Sequence, residues 1–331
     1  MAYSLQPTDS RLTWQGVVEL HIAEEWTMPW RIPYEQRALF PGGIEGPASA
    51  PAGVRISFIT DASSVGGSVV RQGGSAPIDL CIDGGYVETA PLAGQESFLF
   101  EGLPAHQKRV ELWLPQGGQF RLKSIELSDG ARVEAFNDRR PRWITYGSSI
   151  TQCGAASSPC FTWPGVAARA CDFNLTCLGF GGQCHLDPMI ARLIRDMEAD
   201  YISICCGINI QGANSLSPRA FRPAVIGTAQ TIREKHPDIP LAFISPIYSP
   251  PREENRNNVG FSLQGMRAEV KAAVDALKSC GDDNVHYFSG LDIFGPELNE
   301  FLPDQLHPNA EGYKRLGANF VKTVAQTVFA A

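Results

Sequence analysis

Two periodicities divide the chain. Over residues 11–136, apolar and polar positions alternate in short runs separated by Gly- and Pro-containing connections. The runs 16–21, 54–59, 78–82, 96–100, 109–114 and 120–127 read as strands. Alternation is clearest in Arg109-Val110-Glu111-Leu112-Trp113-Leu114 and in Phe120-Arg121-Leu122-Lys123. A period of two marks strands buried on one face. The connections at 41–53 and 73–77 suit sandwich loops, and no segment of this half has helical periodicity. The pattern predicts an antiparallel β-sandwich, jelly-roll-like, over residues 1–136.

The polar stretch Asn137-Asp138-Arg139-Arg140-Pro141-Arg142 reads as a linker. Beyond it, near-continuous apolar runs at 143–146, 173–178, 201–206, 241–244 and 285–288 alternate with helical stripes. Such runs fit strands covered on both faces. Asp187-Pro188 and Ser217-Pro218 each place a capping residue before proline at the first helical position. Met189, Ile190, Leu193, Ile194 and Met197 form one stripe; Leu263, Met266, Val270, Val274 and Leu277 form another. Tyr313, Leu316, Phe320, Val324 and Val328 mark the last helix. Residues 143–331 therefore read as a three-layer α/β domain with a parallel sheet, its reactive groups at the C-terminal strand ends.

Composition narrows the function. A chain of 331 residues, 44% hydrophobic and 19% charged, is long enough for two domains with proper cores. The net charge of −7, without a basic run, argues against nucleic acid or an anionic membrane as partner. No stretch reaches the ~18 apolar residues of a membrane span. Residues 1–10 lack a basic start followed by an apolar segment, so no secretory signal and a cytoplasmic location are expected. The nine cysteines, mostly in apolar contexts, read as buried free thiols without zinc spacing; Cys153 and Cys160 are the pair able to approach across a loop.

The candidate chemistry lies at the strand ends. Ser149, in Tyr146-Gly147-Ser148-Ser149-Ile150-Thr151, follows an apolar run; alone it reads as a turn cap ahead of a nucleophile, and the surrounding context reverses that order. His307 lies three residues after Asp304, a spacing that lets the carboxylate hold imidazole Nδ1–H while Nε2 faces a hydroxyl. Alone, that pair also reads as a helix cap and its neighbour. His185, after a Gly-rich loop, is the second candidate base; His21, His106, His236 and His286 lack comparable company. Leu178-Gly179-Phe180-Gly181-Gly182 offers backbone N–H groups, and Asn209 in Cys206-Gly207-Ile208-Asn209 offers a side-chain amide. Alcohol, base, carboxylate and oxyanion donors are what acyl transfer requires.

The order of these blocks resembles the SGNH (GDSL-like) hydrolases over about residues 142–331. The resemblance makes Ser149 the nucleophile and completes the triad with Asp304 and His307. It assigns the oxyanion hole to the Ser149 and Gly182 N–H groups and the Asn209 amide. It implies a flavodoxin-like α/β/α fold and acyl-ester chemistry with no cofactor and no metal. Ser148 and Ile210 stand where the family often has Asp, so substrate preference is not carried over. The Gly-Ser-Ser-Ile-Thr form resembles a bacterial subgroup with an N-terminal β-sandwich that contains esterases and acyltransferases. A serine esterase acting on a small acyl ester, on a sugar or another metabolite, is the leading expectation. An acyltransferase using the same acyl-enzyme is the alternative, and a non-catalytic carbohydrate-binding protein the reading of another class. Trp26, Trp30 and Tyr34 read as packing residues ahead of a sugar platform. Arg31 and Arg252 are available cations for an anionic substrate group, and 246–258 is a candidate pocket rim.

Overall fold

A computed structural model describes residues 3–74 and 76–329. The N-terminal half contains two six-stranded antiparallel sheets. One contains β1 (Tyr3–Leu5), β3 (Glu19–Ile22), β4 (Thr27–Trp30), β6 (Val65–Val69), β9 (Ser97–Phe100) and β11 (Leu122–Leu127). The other contains β2 (Thr13–Gln15), β5 (Arg55–Thr60), β7 (Ile78–Ile82), β8 (Gly85–Ala90), β10 (Lys108–Trp113) and β12 (Val133–Ala135). Val54, Ile56 and Phe58 meet Val65, Leu122 and Ile125 in the sandwich core. The expected strand at 16–21 is split. Gly16 turns the chain at φ +70°, where a Cβ would sit 2.7 Å from Leu175 O. The run at 120–127 begins as a strand only at Leu122, and its register slips between Leu122 and Ser124, a bulge. The loop expected at 41–53 contains a short helix, α1 (Glu45–Ser49).

The C-terminal half is a five-stranded parallel sheet of β13 (Arg142–Gly147), β14 (Asn174–Gly179), β15 (Tyr201–Cys205), β16 (Leu241–Ile244) and β17 (Val285–Phe288). Its spatial order, β14-β13-β15-β16-β17, is the flavodoxin-like arrangement. Period-two side chains divide between two helical layers. Ile144 and Tyr146 join Ile190, Val225 and Val270 from α4 (Pro188–Asp196), α6 (Pro218–Arg233) and α7 (Leu263–Ser279). Trp143 joins Trp163 and Phe320 from α3 (Trp163–Ala170) and α8 (Ala310–Phe320) on the other face. Two shorter helices, α2 (Ser149–Gln152) and α5 (Ile208–Ala213), follow β13 and β15. In this order the crevice opens where the connections diverge, between the C-terminal ends of β13 and β15. Asp187 and Ser217 do occupy N-cap positions, but neither side chain makes the capping bond.

The halves are welded together. Met28, Trp30, Ile32, Phe40 and Ile44 pack into the α4/α6/α7 layer and not into the sandwich core. Trp26 and Tyr34 pack partly buried against it, in accord with the packing expectation. The stretch 137–142 is no loose tether: Arg140 reaches Glu111 at 2.8 Å and Asp138 at 2.7 Å, and Asp138 accepts from Gln15. All nine cysteines are free, and Cys160 Sγ lies 3.4 Å from Cys81 Sγ, not beside Cys153. Among the described residues no helix is long and apolar enough to cross a membrane.

Candidate active site

The nucleophile candidate stands where β13 turns into α2. Ser148 leaves the strand extended, at φ −86° and ψ −161°, and its Oγ accepts from Ile150 N at 3.2 Å. The residue that departs from the usual Asp thus acts as a helix cap. Ser149 is the first helical residue, so its own N–H belongs to the unsatisfied first turn. Gly147 and Gly179 make room for this turn. A Cβ on Gly147 would lie 2.1 Å from Thr151 Oγ1, and one on Gly179 would lie 2.4 Å from Gln152 N.

Before α8, residues 302–307 form a tight turn with Gln305 at φ +61°. Asp304 Oδ1 accepts from the N–H groups of Leu306 (3.0 Å) and His307 (2.6 Å). Oδ2 lies 2.6 Å from His307 Nδ1, and His307 Nε2 lies 2.9 Å from Ser149 Oγ. Burial pushes the Asp304 carboxyl up, but its three hydrogen bonds from His307 and Leu306 outweigh this and hold it at about 2. An ionised carboxylate can only accept, so Nδ1 donates and Nε2 is left to accept the Ser149 hydroxyl proton. His185 is bonded away from Ser149: Nδ1 contacts Ser215 Oγ (2.7 Å) and Nε2 donates to Gly182 O (3.0 Å).

The loop after β14 lies against Ser149, since a Cβ on Gly181 would be 3.7 Å from that of Ser149. Gly181 N donates to Gln152 Oε1 at 2.8 Å and is thereby occupied. Gly182, at φ +73°, keeps its N–H without a protein partner among the described residues. Asn209, on the first turn after β15, accepts from Cys184 N through Oδ1 at 3.0 Å, which leaves its NH₂ to donate elsewhere. Burial pushes the Cys206 thiol up to about 12 and Cys205 higher still, so neither supplies a thiolate. An apolar cavity of about 40 Å³ lies behind α2, lined by Ile150, Thr151, Trp163, Ile244 and Phe320 among others. Neither Ser149 nor His307 lines it.

Ser249, Arg267 and Gln152 support the site and carry no sequence signal of their own. Ser249 Oγ donates to Gln305 O at 2.7 Å and fixes the Asp304–His307 turn, while Arg252 Nη1 donates to Ser249 Oγ at 3.0 Å. The segment expected to be a rim thus braces the Asp304–His307 turn. Arg267 anchors it further, pairing with Glu253 and donating to Pro246 O. Gln152 joins α2 to the Gly181 amide and, at 3.4 Å, to Gln116 O of the N-terminal half. Arg31 is corrected outright: it is fully buried on backbone carbonyls and unavailable to a substrate anion.

Residues 141–325 match the GDSL-like Lipase/Acylhydrolase family model, and residues 12–123 match the SsfX3 N-terminal domain. No curated protein matches the chain. Among solved structures, the salicylyl-acyltransferase SsfX3 from a tetracycline biosynthetic pathway is 35% identical, with 98% of this chain and 97% of that one covered and a TM-score of 0.90. A putative GDSL-like lipase from Bacteroides ovatus is 20% identical, with 98% of each chain covered and a TM-score of 0.80. A family two carbohydrate esterase from Cellvibrio japonicus is 16% identical, again with 98% of each covered, at a TM-score of 0.69; these last two show likeness of fold. With more than half its length matched by the family model, and a relative 35% identical over nearly all of both chains, the chain belongs to the GDSL-like lipase/acylhydrolase family.

Proposed function

We propose that the protein is a serine esterase that forms an acyl-enzyme on Ser149. The observation that carries this is the unbroken series Ser149 Oγ to His307 Nε2 at 2.9 Å and His307 Nδ1 to Asp304 Oδ2 at 2.6 Å. His307 takes the hydroxyl proton as Oγ attacks an ester carbonyl, and Asp304 stabilises the imidazolium. The N–H groups of Ser149 and Gly182 and the Asn209 amide receive the oxyanion. His307 then protonates the leaving alcohol, and water or another alcohol, deprotonated in turn by His307, discharges the acyl group. The substrate class is a small acyl ester, with a sugar or another decorated metabolite as its alcohol part.

A second reading, transfer of the acyl group to an alcohol acceptor, is favoured by the likeness to SsfX3 over nearly the whole of both chains. One experiment addresses both. A serine-directed phosphonate should label Ser149, and Ser149→Ala should lose on the order of 10⁶-fold in turnover of p-nitrophenyl esters. Parental turnover in Ser149→Ala would reject the acyl-enzyme. With competing alcohols present, free acid as the main product supports hydrolysis, and a dominant new ester supports transfer.

A further inference from the structure

The catalytic sheet has an open edge at β14, where outward-facing carbonyls need donors. Among the described residues no sixth strand supplies them. Two arginines of the N-terminal half do. Arg55 Nη1 donates to Leu175 O at 3.0 Å, and its Nη2 to Asn174 Oδ1 at 2.6 Å. Arg31 Nη1 donates to Cys177 O at 2.9 Å and Gly179 O at 2.7 Å, Nε donates to Ala50 O at 2.6 Å, and Nη2 donates to Pro47 O. Carbonyls 175, 177 and 179 are alternate positions of one strand, all on the edge side. Both guanidiniums are fully buried, and burial lowers each to about 10, so both remain charged at neutral pH.

The two arginines differ in what lies beyond them. Arg55 acts four residues, about 13 Å, back from the end of the strand. Arg31 acts on Gly179, the last strand residue, and its guanidinium lies 5.0 Å from the Phe180 ring centroid. The next residues are Gly181, bonded to the nucleophile helix through Gln152, and Gly182. The same loop meets the N-terminal half again at Gln183, which a Cβ on Gly43 would approach to 2.7 Å. We propose that Arg31 is a positioning residue for the oxyanion loop: by pinning Gly179 O and covering Phe180 it fixes where the Gly182 N–H points. The N-terminal half is then a structural part of the active site and not an appended module. This rests on the oxyanion role proposed above for Gly182.

The test compares Arg31→Lys with Arg55→Lys in the full chain. Lysine keeps the charge but loses the fork that spans two carbonyls. Both variants should lose stability. Arg31→Lys alone should lower kcat and weaken binding of phenylboronate, a tetrahedral-adduct probe, each on the order of 10–100-fold, with KM within about threefold. Arg55→Lys should keep kcat and phenylboronate affinity within about twofold of the parent at a temperature where it is folded. If Arg31→Lys gives no folded protein, Phe180→Leu is measured in its place. It removes the ring beneath the guanidinium and should show the same selective loss at smaller size. Equal kcat and phenylboronate effects in the two lysine variants, or unchanged phenylboronate affinity in Phe180→Leu, would overturn the role of Arg31. Failure of phenylboronate to inhibit the parent would sink the acyl-enzyme reading and this inference together.

Discussion

Gly179→Ala is the sharpest probe of how the fold aims Ser149. The new Cβ would lie 2.4 Å from Gln152 N, 2.5 Å from Thr151 C and 2.9 Å from Gln152 Cα. Ordinary contact begins at 3.4 Å, so the strand end and α2 must separate by about 1 Å, and the obstacle is backbone that cannot rotate aside. Gly179 has no positive φ, so the alanine meets crowding and not backbone strain. Overpacking of this kind costs about 1–3 kcal/mol. Because α2 begins at Ser149, the same shift moves Oγ relative to His307 Nε2, and a 1 Å misplacement costs on the order of 10²-fold in rate. The expected result is kcat/KM for a p-nitrophenyl ester reduced about 100-fold, with a denaturation midpoint lowered to match about 1–3 kcal/mol. Gly154→Ala is the control, since its Cβ would meet nothing within 4 Å. Parental kcat/KM in Gly179→Ala would refute the idea that this close approach sets the position of Ser149.

Ser249→Ala removes a buried donor from Gln305 O and the acceptor of Arg252. It should destabilise the protein by about 1–3 kcal/mol in urea unfolding and reduce kcat, because the Asp304–His307 turn loses its brace. Parental kcat would show that the turn holds itself. Asp304→Asn should reduce kcat on the order of 10⁴-fold by releasing the imidazole tautomer. Its stability deficit has a defined pH window. The folded Asp304 carboxyl lies near 2, below its ordinary 3.8, so its contribution is complete above about 3.8 and is lost as pH falls through about 2. Unfolding curves should therefore show a constant deficit from pH 8 to about 5 that closes below about 4; a deficit growing toward low pH would contradict the assignment.

The sequence by itself determined the layered α/β half. Its strands are short apolar runs, its helices carry stripes of period 3.6, and both signals are local. Strands β16 and β17 fall at the expected 241–244 and 285–288, and Ser149, Gly182, Asn209 and His307 all lie beyond strand ends. The sandwich was legible as a class but not strand by strand. Val65-Gly66-Gly67-Ser68-Val69 lacks alternation, and Gly85–Ala90 is mostly exposed, so neither carries the half-buried pattern; only cross-strand pairing makes them β6 and β8.

Tertiary structure alone decided the supporting shell of the site. The 2.9 Å contact between Ser149 and His307 spans 158 positions, yet both ends are residue types that announce their chemistry. Arg31 meets Gly179 O across 148 positions, and Ser249 meets Gln305 O across 56. Their partners are backbone carbonyls, which every residue has. No letter of the sequence marks which carbonyl will be left facing outward at a sheet edge or a turn. That is fixed only when the chain folds and one strand is left without a neighbour.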